Sequence, residues 1–278
     1  IVVTETRAPE PILDVIGNIT QLGAEELAEI RAEHPSEALN RAPGVYVHRG
    51  SGQEHLTSIR SPVLTGGAGA GSFLYLENNV PLRAAGFANV NGLFDAHSEL
   101  AQSIEIVRGP GSVLHGANAV HGLINVITPT AEESSAGLAF SGGSFDRYKG
   151  DIWATYAGGA HGGYVGFSEI FDGGFRADTG VDQQKLTLRH DNDGERVTVS
   201  TVLSGHNLNQ ETGGFVIGDD AYLDPELRRT NPNPEAFRNV KSVRLSSRIT
   251  RALSENAEVV VTPNARWNEM DFLLHFLP

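Results

Sequence analysis

The stretch Lys185-Leu186-Thr187-Leu188-Arg189-His190-Asp191 decides the fold class. Leu186, Leu188 and His190 fall on one side of an extended chain and Lys185, Thr187, Arg189 and Asp191 on the other, the period of a β-strand. Arg196 to Leu203 repeats it, with Val197, Val199, Thr201 and Leu203 opposing Arg196, Thr198 and Ser200. In Ser242 to Thr250, Val243, Leu245 and Ile249 oppose Arg244, Ser246 and Arg248; in Lys149 to Gly158, Ile152, Ala154 and Tyr156 oppose Lys149, Asp151 and Thr155. Charge on the second face of every strand does not suit a dry sandwich core. It suits a sheet with one face in hydrocarbon and the other lining a wet interior.

Seven such strands are predicted, at about 136–144, 148–158, 163–171, 183–191, 196–206, 240–251 and 257–270. Their connections alternate in length, as in transmembrane barrels. Ala157 to Gly163, Asn192 to Glu195 and Ala252 to Ala257 are short, whereas Asp172 to Asp182 and Asn207 to Asn239 are long. Phe145 to Arg147 departs from this as a tight turn on the long-loop side. A run of some thirty residues without a period is usually functional.

Ahead of Thr128-Pro129 the texture is different: short helices and short strands, punctuated by Gly and Pro. Residues 23–33 place Leu27 and Ile30 on one helical face, and Ser36 opens a second helix that Pro43-Gly44 stops. Strand-like pieces follow at Val45 to His48, His55 to Arg60, Phe73 to Leu76, Ile104 to Val107 and Leu123 to Ile127, none long enough for a barrel wall.

Composition narrows the function classes. A formal charge of -13 over 278 residues argues against nucleic acid as a partner, because phosphate binding needs a basic face. The absence of cysteine removes disulfides, thiolate zinc sites and cysteine nucleophiles together. No apolar run approaches the ~18 residues of a membrane helix, a test that membrane strands escape. No charged leader with an apolar core opens the sequence, so an export signal is expected to have been removed or left out.

The segment from Ile106 to Thr128, IVRGPGSVLHGANAVHGLINVIT, closely resembles the end of the plug in TonB-dependent receptors, with His115 where tyrosine is usual and His121 where glycine is usual. HPSEALNRAPGVYV, HLTSIRSP and FLYLENNVPL resemble the upstream plug in its usual order, with Ser61 replacing the glycine that normally follows Arg60. The opening IVVTETR is similar to a TonB box. The resemblance implies an α+β plug domain inside a transmembrane antiparallel β-barrel of about 22 strands. It divides the chain into a TonB-box-like segment at 1–7, a plug at 8–130 and the first barrel strands at 131–278. Seven strands do not close such a barrel and leave bare edges in lipid, so the sequence is expected to be part of something longer.

The resemblance also assigns residues. Ile1, Val2, Val3, Thr4 and Glu5 are the expected grip for the TonB energy coupler, and an extended β-branched segment suits recognition by strand addition. The alternative for it is an ordinary first strand of the plug. Arg60 and Arg108 match arginines that bond barrel-wall glutamates; an ordinary salt bridge within the domain is the other reading. At the plug apices, Thr65, Gly67 and Gly69 in a glycine-rich stretch, and Arg83, Phe87, Asn89 and Asn91 in the next, are ligand candidates, against loops that touch no ligand.

Other motifs fail. Gly66 and Gly71 have P-loop spacing, but Ser72 stands where the lysine belongs. Gly142 to Asp146 lacks the last glycine of a nucleophile elbow. The ten histidines include no HExxH. Asp219, Asp220 and Asp224 offer oxygen ligands for calcium or form a solvated acidic loop.

The expectation is therefore a transporter and not an enzyme, with no catalytic residue, resident metal or cofactor. It would lie in the outer membrane of a Gram-negative cell, in contact with outer-membrane lipid and with its plug accessible from the periplasm. It would import a scarce solute, a ferric siderophore first, with cobalamin, haem, other metal chelates and oligosaccharides behind it. A surface receptor that senses ligand without importing it is the alternative from another class, and a soluble α/β binding domain joined to a β-rich domain is a third.

Overall fold

The computed structural model describes residues 2–4, 10–15, 17–61, 73–83, 92–254 and 257–273. The chain divides into two compact units, Ile1–Pro129 and Thr130–Pro278.

In the first unit β1 (Val2–Val3) pairs with β2 (Glu10–Pro11). Next come β3 (Ile19–Gly23), α1 (Ala24–Ile30), α2 (Pro35–Leu39), β4 (Val45–Arg49) and β5 (His55–Ile59). They are followed by β6 (Phe73–Glu77), β7 (Val80–Pro81), β8 (Ser103–Arg108), α3 (Ser112–His115) and β9 (Gly122–Ile127). The main sheet runs β3-β8-β9-β6-β7, with only the β6–β9 pair parallel; β4 and β5 form a hairpin of their own. The first two helices, α1 and α2, are too short to persist alone and hold by packing. Leu27, Leu39, Ile59, Tyr75, Leu93, Ile104, Ile106 and Ile124 share one buried cluster. The second helix starts one residue earlier than Ser36: Pro35 takes the first helical position, where its missing N–H costs nothing, and His34 caps it by accepting from Ser36 N.

The motif 106–128 is a β-loop-β clasp. Arg108 opposes Gly122 at the mouth of the antiparallel β8–β9 pair, and the loop folds over short bonds from Gly109 N to His121 O and from Gly111 N to Ala119 O, each 2.9 Å. Gly122 is required by space: a Cβ there would lie 2.4 Å from Val107 O.

The second unit is one meander of partial β-barrel strands: β10 (Ser135–Gly143), β11 (Arg147–Gly158), β12 (His161–Asp172), β13 (Val181–Asp193), β14 (Val197–Glu211), β15 (Phe237–Ser254), β16 (Ala257–Val261) and β17 (Asn264–Leu273). The last two both pair with β15, so they share one lane, and the single strand expected at 257–270 is cut at Thr262-Pro263. Proline cannot donate to the ladder, so the pairing is interrupted there with the register kept, Ser247 N donating to Pro263 O at 3.0 Å. The strands also outrun their apolar pattern. The stretch Asn207–Asn239, expected as loop throughout, continues β14 to Glu211 and begins β15 at Phe237. Asparagine and glutamine weaken the period signal there, yet the ladder continues and Asn207 donates to Gln184 Oε1 at 2.7 Å.

Candidate functional site

Three places in the first unit and two in the second carry the functional geometry. The N-terminal strand is anchored. Val3 is fully buried, and Thr4 donates from its N–H (3.0 and 3.1 Å) and its hydroxyl (2.7 Å) to the carboxylate of Glu105, itself buried. Asn125, opposite Glu105 in the β8–β9 register, donates to Thr4 Oγ1 at 3.3 Å and to Asn79 Oδ1 at 3.1 Å. Charge-assisted bonds to a buried carboxylate are the strong kind. Ile1 and Glu5, also expected in this segment, lie outside the described residues.

Arg60 and Arg108 come together beside the Pro43-Gly44 turn. Arg60 adopts φ 50°, its N–H donates to Gly44 O at 2.9 Å, and its side chain passes over Gly44. The Arg108 guanidinium donates to Pro43 O at 2.6 Å and, at longer range, to the carbonyls of Asn18 and Ile19. Partial burial and then the charge of Arg60 draw the Arg108 pKa down. The bonds described for Arg108 are therefore to main-chain carbonyls of its own unit.

The first unit also holds a buried pair of histidines. The ring of His55 donates from Nδ1 to Gln53 O (3.0 Å), because its Nε2 must accept the N–H of Leu93 (3.3 Å). His34 accepts from Ser36 at Nδ1 and donates from Nε2 to Glu54 O at 3.1 Å. Burial first, and nearby arginines or the partner ring after it, hold His34 down to about 4 and His55 down to about 3, so both are neutral at physiological pH. Tyr75, buried beside them, is pushed up to about 12 mainly by burial, and its hydroxyl donates to Thr57 Oγ1. Arg83 belongs to this layer: its side chain is 11% exposed, its Nε is 3.3 Å from the fully buried Asp95 carboxylate, and it lies 5.6 Å from the centre of the Phe94 ring. The remaining apical candidates, Thr65, Gly67, Gly69, Phe87, Asn89 and Asn91, lie outside the described residues.

In the second unit the two faces of the sheet are inverted relative to a soluble protein. Lys149, Ser168, Gln183, Lys185, Thr187, Ser204, His206, Ser242 and Arg244 are buried, while Leu138, Ile152, Phe167, Leu186, Leu188, Leu203, Val243, Leu245 and Trp267 are exposed. Several polar side chains on the buried face pair with one another, as in Lys149–Asp151 (3.6 Å), Arg189–Asp191 (2.8 Å) and Gln183–His206 (3.0 Å).

The exposed apolar band runs obliquely. Along the row Tyr148-Phe171-Asp182-Asn209-Asn239 it covers only the first two strands. Along the row His161-Asn192-Val199-Ile249-Val261 it covers only the last three. Its centre drops by roughly five residues between β11 and β15, which at ~3.3 Å per residue and ~4.8 Å per strand is a tilt of about 40°. Strands crossing a bilayer in a barrel tilt by that amount.

At the other end of these strands, the loops 173–180 and 212–236 are ordered against each other. Phe215, Ile217, Tyr222 and Leu223 stand exposed at the tip of the second. The Asp224 carboxylate accepts from the N–H groups of Glu226 and Leu227, which lowers its pKa, and caps a short 3₁₀ turn. Among the described residues no three acidic, histidine or cysteine side chains cluster to hold a metal ion.

A family model described as the TonB-dependent Receptor Plug Domain matches residues 11–123. Residues 11–123 are a TonB-dependent receptor plug domain. Partial β-barrel strands follow the plug in the same chain. The chain is 30% identical over 184 residues to the vitamin B12 transporter BtuB of Vibrio vulnificus, a match that covers 66% of this chain and 28% of that protein. Its fold is similar to the ferripyoverdine receptor of the Pseudomonas aeruginosa outer membrane (TM-score 0.75, 11% identity, 95% of this chain and 36% of that one). It is likewise similar to the siderophore receptor PiuA of Acinetobacter baumannii (TM-score 0.73, 13% identity, 97% of this chain and 38% of that one). At these identities the structures speak for fold alone, and the chain spans well under half the length of each of these relatives. No helix among the described residues is long and apolar enough to cross a membrane, which says nothing of strands.

Sequence reasoning missed Glu105, His34 and His55. Glu105 carried a signal, a carboxylate in the middle of the apolar strand Ser103–Arg108, which had to be either exposed or bonded. The histidines carried none, because a buried neutral ring and a surface ring look alike in sequence.

Proposed function

We propose that this chain contributes the plug and part of the wall of an outer-membrane transporter that takes up a scarce small solute at the expense of energy delivered by the TonB coupler. The observation that carries the reading is the oblique apolar band, exposed on strands whose opposite face is buried and mixed, with Lys149, Lys185, Thr187, Ser204 and Ser242 beside Ile170, Val202 and Leu208, following directly on a plug domain. Hydrocarbon accepts the first face only. Ile1 to Glu5 are the proposed handle for the coupler. Because Thr4 is bonded to Glu105 on the inner strand β8, engagement of the handle must break this contact. Arg60 and Arg108 are proposed to hold the plug in place through charge-assisted bonds, and the apical stretches around Thr65 to Gly69 and Arg83 to Asn91 to meet the solute.

The two solved relatives described above are, by name, receptors for siderophores, and the curated relative is a vitamin B12 transporter. A ferric siderophore is the first solute to try and cobalamin the second. Both are large, polar and too dilute to diffuse in at a useful rate. The test is deletion of Ile1 to Glu5 in the full-length protein: uptake of the solute is lost while its binding to whole cells is unchanged. Uptake at the unaltered rate would refute the coupling role.

A further inference from the structure

At the long-loop end of the sheet, Arg176 sits in the loop between β12 and β13 yet spends its side chain on the loop between β14 and β15. Its Nε donates to Thr230 O at 2.9 Å and its Nη2 to Gly214 O at 2.7 Å, two carbonyls on opposite arms of the longer loop. Asn231 returns the contact, its Nδ2 donating to Asp178 O at 2.8 Å and to Thr212 O at 3.4 Å. Between these two side chains, Ala177 N donates to Arg229 O at 2.8 Å. The Phe175 ring packs edge-on against Phe145 (5.2 Å) under the guanidinium groups of Arg228 and Arg229, at 5.9 and 5.6 Å. Side chains pack closely over Gly213 and Gly214. A Cβ on Gly213 would come within 3.0 Å of Thr179 Cγ2 and 3.2 Å of Arg176 Nη1, and one on Gly214 within 2.0 Å of Asn233 Oδ1.

We infer that loops 173–180 and 212–236 are clasped by Arg176 and Asn231 into a single body, so that a force or a ligand acting on the long loop moves the short one with it. Two features separate this from chance contact between neighbours. Each anchor side chain reaches both arms of a loop or both loops, so neither loop opens without breaking bonds in the other. The bonds end on main-chain carbonyls, so they fix backbone position instead of side-chain packing. A solitary loop of about 25 residues pays a large ordering entropy; tied at both arms, it opens cooperatively with its neighbour. The inference concerns loop mechanics and holds whatever solute the protein carries.

The experiment is hydrogen exchange on the full-length protein in detergent micelles, comparing wild type with Arg176→Gln and with Asn231→Ala. Arg176→Gln removes charge-assisted bonds, so exchange should accelerate roughly ten- to a hundredfold in 212–216 and 228–233, in the other loop, as well as in 173–180. Asn231→Ala should accelerate 176–180 in return, and the amides of β13 and β14 should be unchanged in both. Acceleration confined to the loop that carries the substitution, or none at all, overturns the proposal. Should Arg176→Gln fail to reach the membrane, Asn231→Ala alone decides it on the same criterion.

Discussion

The plug and the wall that follows it bury opposite halves of their chemistry. In the plug, Leu39, Ile59, Phe94, Ile106 and Ile124 are inside and the surface is polar, the arrangement that water imposes. In the wall, Lys185, Thr187, Ser204 and Ser242 are inside and Leu186, Leu188, Leu203 and Leu245 are outside. The pattern of burial thus changes between the two units, at Thr130. The lesson is that the same alternation of side chains means a different fold once the medium on each face is specified.

The sharpest way to break the comparison is a cavity in the plug. Phe94→Ala, at a fully buried ring, should cost about 3–5 kcal/mol and be seen as a lower denaturant midpoint for the plug with the wall's transition unmoved. A joint loss in both would mean that the units do not answer to separate forces. Next is the reverse test on the wall: Leu188→Arg places a charge on the exposed face and should cost about 2–4 kcal/mol in a bilayer, measured by unfolding from lipid vesicles. A neutral result would remove Leu188 from the hydrocarbon.

The smallest expected effect concerns acid. His34 and His55 have folded pKa values of about 4 and about 3, below the ordinary 6.5, so the unfolded plug binds more protons than the folded one between these limits. Plug stability should therefore be flat above about pH 7 and fall as pH drops through 6.5, by on the order of 2 kcal/mol per histidine at pH 5. Thermal melts of wild type against His55→Gln from pH 7 to 5 check it; equal slopes for the two would contradict a buried neutral ring.

Most of the architecture was legible because it is written in periods and turns. Lys185 to Asp191 showed its two faces directly, and the segment 106–128, read by resemblance, folds as a clasp with Gly122 against backbone. What escaped was written in partners. Strand ends such as Asn207 to Glu211 carry no apolar period, and only the neighbouring strand makes them extended. Arg83 reads as an apical ligand candidate, and nothing in its own stretch announces the ion pair with Asp95, twelve residues on. Glu105 and Thr4 are 101 residues apart, a separation at which no local pattern reveals a bond. Functional residues here are defined by what reaches them across the fold, and this is the information a single sequence holds least.

The central claim is that the apolar face of the wall touches lipid. Single cysteines can be placed in a chain that has none among its 278 residues and spin-labelled in the full-length protein in bilayers. At 186, 188, 203 and 245 collisions with oxygen, which dissolves in hydrocarbon, should exceed those with a water-soluble nickel chelate, and at 185, 187, 204 and 244 oxygen access should fall. Uniform access along the strands, or maxima on the second set, would contradict the account.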